Sequence, residues 1–254
     1  MLEKIIADVR RDVELRCKNI QDAVKVSEGR SLVGAIEHAR NVPVIAEIKW
    51  ASPSSGVIRK QEDPCGIARQ MIRGGAISIS VLTEPRYFGG SPETLAQVRR
   101  SVRVPVLYKN IVVDRRQVHE AAALSSDAIL LMVSVLKGST GEFVDLAHDL
   151  GMEALVEVQN GGEITTALKS GADLIGINNR DFNTMKVDIE RTVTIAKNVP
   201  EDAVLVSESG INSPDDVRRV MEAGADAVLV GTSIMSSDDV EGKVRSLVMA
   251  MVER

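Results

Sequence analysis

Val44-Ile45-Ala46-Glu47-Ile48-Lys49 is an apolar strand pattern interrupted by two charges. Side chains two residues apart on a strand share a face, so Glu47 and Lys49 point the same way. Burying them costs several kcal/mol unless they are paired or open onto a site. The same anomaly recurs along the chain. Val106-Leu107-Tyr108-Lys109, Ala154-Leu155-Val156-Glu157, Ile175-Gly176-Ile177-Asn178 and Leu205-Val206-Ser207-Glu208 each end an apolar run on a polar group. Five strand ends bearing acid, base and amide groups read as one catalytic rim.

Working outward from this stretch, β-branched runs alternate with helical patterns, which predicts βα units and a parallel sheet. Strands are expected near 43–49, 77–82, 105–109, 127–132, 152–157, 173–178, 203–207 and 226–230. Helices follow near 63–73, 92–101, 114–124, 140–150, 160–170, 188–198, 213–223 and 237–252. Small-residue cues precede several strands: Gly74-Gly75-Ala76, Ser125-Ser126-Asp127, Gly171-Ala172-Asp173 and Gly224-Ala225-Asp226. Where they contain glycine they can close a helix in a left-handed conformation. Eight such units predict an α/β fold, a (β/α)8 TIM barrel forming a single domain over 1–254. A doubly wound open sheet would want a glycine-rich phosphate loop after the first strand, and no such motif follows Lys49. Residues 1–42 read as an N-terminal helical extension packed on the barrel. It comprises two helices, about 2–26 and 31–40, with Ser27-Glu28-Gly29-Arg30 between them.

The chain has 254 residues and a formal charge of −5, with no block of Lys or Arg, so no nucleic-acid partner is expected. Lys49, Lys109 and Arg180 can still make a local positive site within an acidic body. Cys17 and Cys65 form no CxxC pair and no zinc spacing. Disulfides and metal are therefore not expected, and a cytoplasmic location fits. The first helix lacks the apolar segment of a signal peptide, and no run approaches a membrane span.

In such barrels the C-terminal ends of the strands form the active face. Glu47, Lys49, Lys109, Glu157, Asn178, Arg180, Glu208 and Ser209 all fall there. Their alternative is an ion-pair network plugging the barrel mouth, but a buried network of this size needs every member satisfied. Burial lowers a lysine pKa and raises a carboxylate's, so both are expected to approach neutrality and exchange protons with substrate. His38, His119 and His148 lie in helical patterns, away from the rim. Cys65 follows Asp63-Pro64 at a helix start and reads as a small helix residue. Glu208-Ser209-Gly210-Ile211 and Gly231-Thr232-Ser233 follow the last two strands, where barrels often hold phosphate on backbone N–H groups. Both could equally be plain turns into helices. Ser52-Pro53-Ser54-Ser55-Gly56 could add donors or be a solvated loop.

Together these segments resemble the indole-3-glycerol-phosphate synthase family. The likeness runs through Ile45-Ala46-Glu47-Ile48-Lys49, Ala51-Ser52-Pro53-Ser54, Leu82-Thr83-Glu84, Tyr87-Phe88-Gly89-Gly90-Ser91 and Leu107-Tyr108-Lys109. It continues through Leu155-Val156-Glu157, Gly176-Ile177-Asn178-Asn179-Arg180-Asp181, Ser207-Glu208-Ser209-Gly210-Ile211 and Gly231-Thr232-Ser233. The resemblance implies a carboxy-lyase of tryptophan biosynthesis that works without cofactor. Its small phosphorylated substrate would be 1-(2-carboxyphenylamino)-1-deoxyribulose 5-phosphate. Lys109 would be the general acid on the substrate carbonyl oxygen. Lys49 would engage the anthranilate carboxylate, and Glu157 would be the base in dehydration. Glu47 and Asn178 would orient lysines and substrate hydroxyls, while Glu208 and Ser209 line the site. Arg180 would support the anionic end; Ser52, Gly210, Gly231 and Thr232 would hold phosphate. Phe88, Ile111, Leu130, Phe182 and Leu229 are candidates for an aryl slot, or ordinary barrel packing.

Two departures stand out. Trp50 replaces a usual basic residue and is expected on the rim, and Asn110-Ile111 replaces the usual aspartate and phenylalanine. A phosphosugar isomerase, or a catalytically altered or silent phosphate-binding barrel used as a scaffold, are the competing readings. The expected assembly is a monomer or weak homo-oligomer with no membrane partner.

Overall fold

The computed structural model describes residues 1–17, 30–182 and 184–252. Eight parallel strands close into a cylinder in which each pairs with its neighbours in sequence and the first pairs with the last. They are β1 (Val44–Ile48), β2 (Ser78–Leu82), β3 (Val106–Lys109), β4 (Ala128–Met132), β5 (Glu153–Val158), β6 (Leu174–Asn178), β7 (Val204–Glu208) and β8 (Ala227–Val230). Each lies within a residue of its expected bounds.

Period-two alternation sorts the side chains. Ala46 and Ile48, Ile79 and Val81, Ile129 and Leu131, and Val228 and Val230 join the apolar layer beneath the helices. Ile45, Leu107, Leu130, Leu155, Leu174, Val206 and Leu229 belong to a second apolar cluster, as the opposite strand face requires. The lumen is thus a packed, largely apolar core, into which the same alternation also turns Ser78 and Ser80 of β2.

The principal barrel helices are α1 (Pro64–Arg73), α2 (Pro92–Ser101), α3 (Arg115–Ala123), α4 (Thr140–Asp149), α5 (Gly161–Lys169), α6 (Glu190–Ile195), α7 (Pro214–Glu222) and α8 (Val240–Val248). Asp63, Ser91, Asp114, Asn160, Ser213 and Asp239 each accept a backbone N–H at a helix start. Such caps satisfy donors that the first helical turn leaves free. The connection before β2 passes through Gly75 at φ 103°, and Ser125 takes the same left-handed region without being glycine. The last helix stops at Val248, short of its expected extent. Short helices at Pro85–Phe88, Val133–Leu136 and Thr232–Met235 are too brief to leave a periodic signal. Ala51–Ser52 and Gly56–Val57 pair as a small hairpin where a flexible loop was one reading.

The extension begins as a helix over Leu2–Arg16, burying Ile5, Val9 and Val13. The expected continuation through 18–26 and the connecting Ser27-Glu28-Gly29 lie outside the described residues. A second helix, Leu32–Glu37, sits at the opposite end of the cylinder from the rim. There Glu153 accepts the amides of Leu32 and Val33 at 2.6 and 3.1 Å. Nearby, Asp127 is 1% exposed and accepts Arg30 N at 2.8 Å, Val106 N at 2.9 Å and Arg99 Nη2 at 3.1 Å.

Removing a buried carboxylate that gathers three donors leaves them unpaired. Asp127→Ala is expected to lower stability by about 3 kcal/mol while kcat and KM stay at parent values. Urea unfolding checks this, and an unchanged midpoint would contradict the proposed bracing of the barrel floor.

Candidate active site

The inward ends of β1, β3, β5, β6 and β7 bring Glu47, Lys109, Glu157, Asn178 and Glu208 to one mouth of the cylinder. Lys49, just past β1, joins them. Lys49 Nζ lies 2.8 Å from Glu47 Oε1. Lys109 Nζ lies 3.6 Å from Glu47 Oε2 and 3.2 Å from Glu208 Oε2. Glu47, Glu157 and Glu208 are buried, as is Asn178.

Glycines make room for this cluster. A Cβ on Gly176, inside β6, would stand 2.3 Å from Glu208 Oε1. One on Gly231 would stand 2.5 Å from Glu47 Oε1 and 3.0 Å from Lys49 Nζ. Gly231 was read from sequence as a phosphate turn, and the packing adds a steric role. Gly176 was not selected, although a glycine inside a strand often marks a close approach.

The electrostatics follow from the pairing. Burial acts to raise the Glu47 pKa, but Lys49 and Lys109 outweigh it and hold Glu47 below the usual carboxylate range. Burial also acts to lower the Lys109 pKa, yet Glu208, Glu47 and Glu157 outweigh it and hold Lys109 above its ordinary value. The expectation that burial brings lysines toward neutrality therefore fails for Lys109, because three carboxylates face one ammonium. Glu157 behaves as expected: burial first, then repulsion from Glu208, pushes it up to about 8 against the opposing pull of Lys109 and Asn178. Burial displaces Glu208 upward too, with Lys109 opposing. Glu208 faces Lys109 directly, at 3.2 Å, while Glu157 Oε1 has no hydrogen-bond partner.

Above the cluster lies a cavity of about 200 Å³. It is lined by Glu47, Lys49, Lys109, Glu157, Asn178 and Ser209. Ser52, Arg180, Gly210, Gly231 and Thr232 also line it, as do Phe88, Ile111, Leu130, Phe182 and Leu229. One rim candidate is placed elsewhere, and one sits in the cluster without lining the cavity. Glu208 is absent from the lining and pairs with Lys109, which lines it. Trp50 packs into the apolar layer outside the strands, because it is one residue out of phase with Glu47 and Lys49. Its expected place on the rim is corrected accordingly.

Ser209 and Gly210, at φ 67° and 85°, turn the chain sharply after β7. The short helix after β8 has no side-chain cap, which leaves its first amides without an intrachain side-chain acceptor. Ser233 Oγ donates to Ile211 O at 2.9 Å, tying the two turns together. Arg180 Nη1 donates to Ser54 Oγ at 2.8 Å, joining the loop after β6 to the hairpin after β1. Pro53, Leu82, Asn110, Met132, Met185, Val187, Asn212 and Ser233 complete much of the wall. The sequence reading touches Pro53, Leu82, Asn110 and Ser233 as members of the loop, strand-end and turn segments, but gives no site role to Met132, Met185, Val187 or Asn212. Most are apolar or loop residues, indistinguishable in sequence from ordinary packing and turns. Among the described residues, no group of three or more His, Cys, Asp or Glu is placed to hold a metal ion, and no helix is long and apolar enough to cross a membrane.

Comparison with known proteins is consistent in direction. The family model for indole-3-glycerol phosphate synthase matches residues 2–247. The indole-3-glycerol phosphate synthase of Methanocaldococcus jannaschii is 39% identical, over 98% of this chain and 99% of that protein. The enzyme of the same name from Caldanaerobacter subterraneus is 45% identical, over 82% of this chain and 80% of that protein. Among solved structures, a thiamine phosphate pyrophosphorylase from Pyrococcus furiosus superposes with a TM-score of 0.61 at 19% identity, covering 82% of this chain and 95% of that one. That likeness concerns the barrel fold alone.

The raised Glu157 pKa carries a stability consequence. Between the ordinary carboxylate value and about 8, the native chain binds more protons than the unfolded chain. Its stability therefore falls as pH rises through that window, by about 1.4 kcal/mol per unit of displacement. Glu157→Gln removes this penalty. Urea unfolding should show the variant gaining on the parent between about pH 5 and pH 9. A constant difference across that window would refute the elevated proton affinity.

Proposed function

The chain belongs to the indole-3-glycerol phosphate synthase family, and on that premise we propose a division of labour among the residues of its cavity. The activity is indole-3-glycerol phosphate synthesis in tryptophan biosynthesis, a carboxy-lyase reaction. The substrate of that activity is a phosphorylated 1-(2-carboxyphenylamino)-1-deoxyribulose. The isomerase and silent-barrel readings give way to this one.

One observation carries the assignment of roles: two lysines and one carboxyl of raised proton affinity face a single cavity edged by the turns after β7 and β8. The aryl carbon bearing the carboxylate attacks the ketose carbonyl, forming the new carbon–carbon bond. Negative charge develops on the carbonyl oxygen, where Lys109 supplies a proton and a stabilising field. Its high proton affinity, set by Glu208 and Glu47, keeps it an ammonium until that charge appears. Ring closure leaves an iminium conjugated with the carboxylate-bearing carbon. The carbon–carboxylate bond then breaks, its electrons flow into that sink, and carbon dioxide departs.

Dehydration requires loss of the former carbonyl oxygen as water and of a proton from the neighbouring carbon. Glu157 is the base for that proton, and its displacement to about 8 matches the task near neutral pH. Lys49 engages the substrate carboxylate and protonates the departing hydroxyl. Glu47 holds both lysines, and Asn178 orients Glu157 and the substrate hydroxyls. Ser209 contributes to the cavity wall.

The phosphate rests against Gly210, Gly231 and Thr232, with Ser52 adding a hydroxyl and Arg180 supporting the anionic end. Phe88, Ile111, Leu130, Phe182 and Leu229 form the slot for the aryl ring. Fixing both ends of a flexible sugar chain brings the two ring-forming carbons together, which is a large part of the barrier. The free thiols of Cys17 and Cys65 support a reducing cytoplasmic setting.

Appearance of indole fluorescence from the carboxyphenylamino substrate tests the activity, and absence of product from the parent protein would defeat it. Lys109→Ala should lower kcat by roughly 10²–10⁴-fold with a much smaller change in KM. Parent-level turnover in that variant would remove Lys109 from the acid role.

A further inference from the structure

Lys109 is also held from outside the barrel. Tyr108, its neighbour on β3, points into the layer beneath the helices, and its hydroxyl donates to Glu120 Oε2 on α3 at 2.7 Å. Glu120 in turn meets Arg16 of the N-terminal helix and lies 3.7 Å from the Cys17 thiol. On the other side, Asn110 Nδ2 donates to Tyr108 Oη at 3.3 Å and to Thr83 Oγ1 at 2.7 Å. The Thr83 amide and hydroxyl both donate to the Lys109 carbonyl, at 3.0 and 3.3 Å. Asn110 Oδ1 accepts Ile111 N at 2.8 Å, so the backbone leaving Lys109 is pinned as well.

Tyr108, Thr83, Asn110 and Glu120 are all buried. A buried carboxylate, phenol and amide in an apolar layer are costly beside aliphatic side chains of similar volume, so stability alone is a weak reason for them. They converge instead on one backbone segment, the one from which Lys109 reaches Glu47 and Glu208. A shift of about 1 Å in a reacting group can cost on the order of 10²-fold in rate.

From this geometry we propose that Tyr108 and Thr83 are positioning residues for Lys109, acting through the Glu120–Tyr108–Asn110–Thr83 hydrogen-bond chain. Neither side chain lines the cavity. The inference rests on the acid role assigned to Lys109 above.

Tyr108→Phe and Thr83→Val each delete one hydroxyl with little change of volume. Assayed below their unfolding temperatures, each should lower kcat about 5- to 20-fold with KM within about threefold. Substrate affinity is retained because Lys49, Arg180 and the phosphate turns are untouched. A purely structural role would lower the unfolding midpoint and leave kcat unchanged. If both folded variants kept parental kcat while Lys109→Ala was inactive, this inference would fail alone. If only Thr83→Val folds, its kcat decides the matter by the same criterion. Parental turnover by Lys109→Ala would instead remove the premise.

Discussion

The cost of burying charge inside a closed strand cylinder governs this molecule. Five ionisable side chains, Glu47, Lys49, Lys109, Glu157 and Glu208, share the mouth of the barrel, and none could stay there alone. Glu47 touches both lysines, and Lys109 touches both Glu47 and Glu208. Two ammonium groups face three carboxylates, and burial lowers the electrostatic cost by displacing Glu157, up to about 8, and Glu208 toward their protonated forms. The cluster thus carries less negative charge than three ionised carboxylates would give it, and Glu157 must release its proton before it serves as the base of dehydration.

This constraint reaches into the rest of the fold. Gly176 and Gly231 lack side chains where carboxylates and an ammonium need space. The lumen below the cluster is filled with Ile, Leu and Val, which keeps the local dielectric low and the mutual attractions strong. The hydrogen-bond chain through Glu120, Tyr108, Asn110 and Thr83 restricts the strand end from which Lys109 projects. At the opposite end, Asp127 and Glu153 gather amides and arginines without facing the cavity, separating the bracing of the barrel from its chemistry.

Legibility in the sequence followed a physical rule. Barrel strands were readable because burial on both faces demands short continuous apolar runs, and a charge within one is conspicuous. Glu47, Lys109 and Glu157 could therefore be selected as site candidates from strand-end chemistry alone. Phe88, Leu130, Phe182 and Leu229 came as slot candidates whose packing alternative remained open. Met132, Met185 and Val187 were invisible because an apolar side chain carries no mark of facing a cavity and not a core. Trp50 misled for a related reason: nearness to Lys49 in sequence implied a shared rim, but adjacent strand residues face opposite sides.

From the sequence alone came the eight-unit rhythm, the strand assignments, the polar residues that end the strands and the family likeness. Each depends on local periodicity or on residue identity, which the chain carries without folding. Only the tertiary structure decided which carboxylate faces which ammonium, that Lys109 gains proton affinity where burial alone would lower it, and that Glu208 pairs with Lys109. It also decided that Tyr108 and Glu120 brace the catalytic strand from outside. These are properties of distances between residues far apart in the chain, and electrostatic coupling depends on those distances and on the excluded water, neither of which a linear pattern encodes.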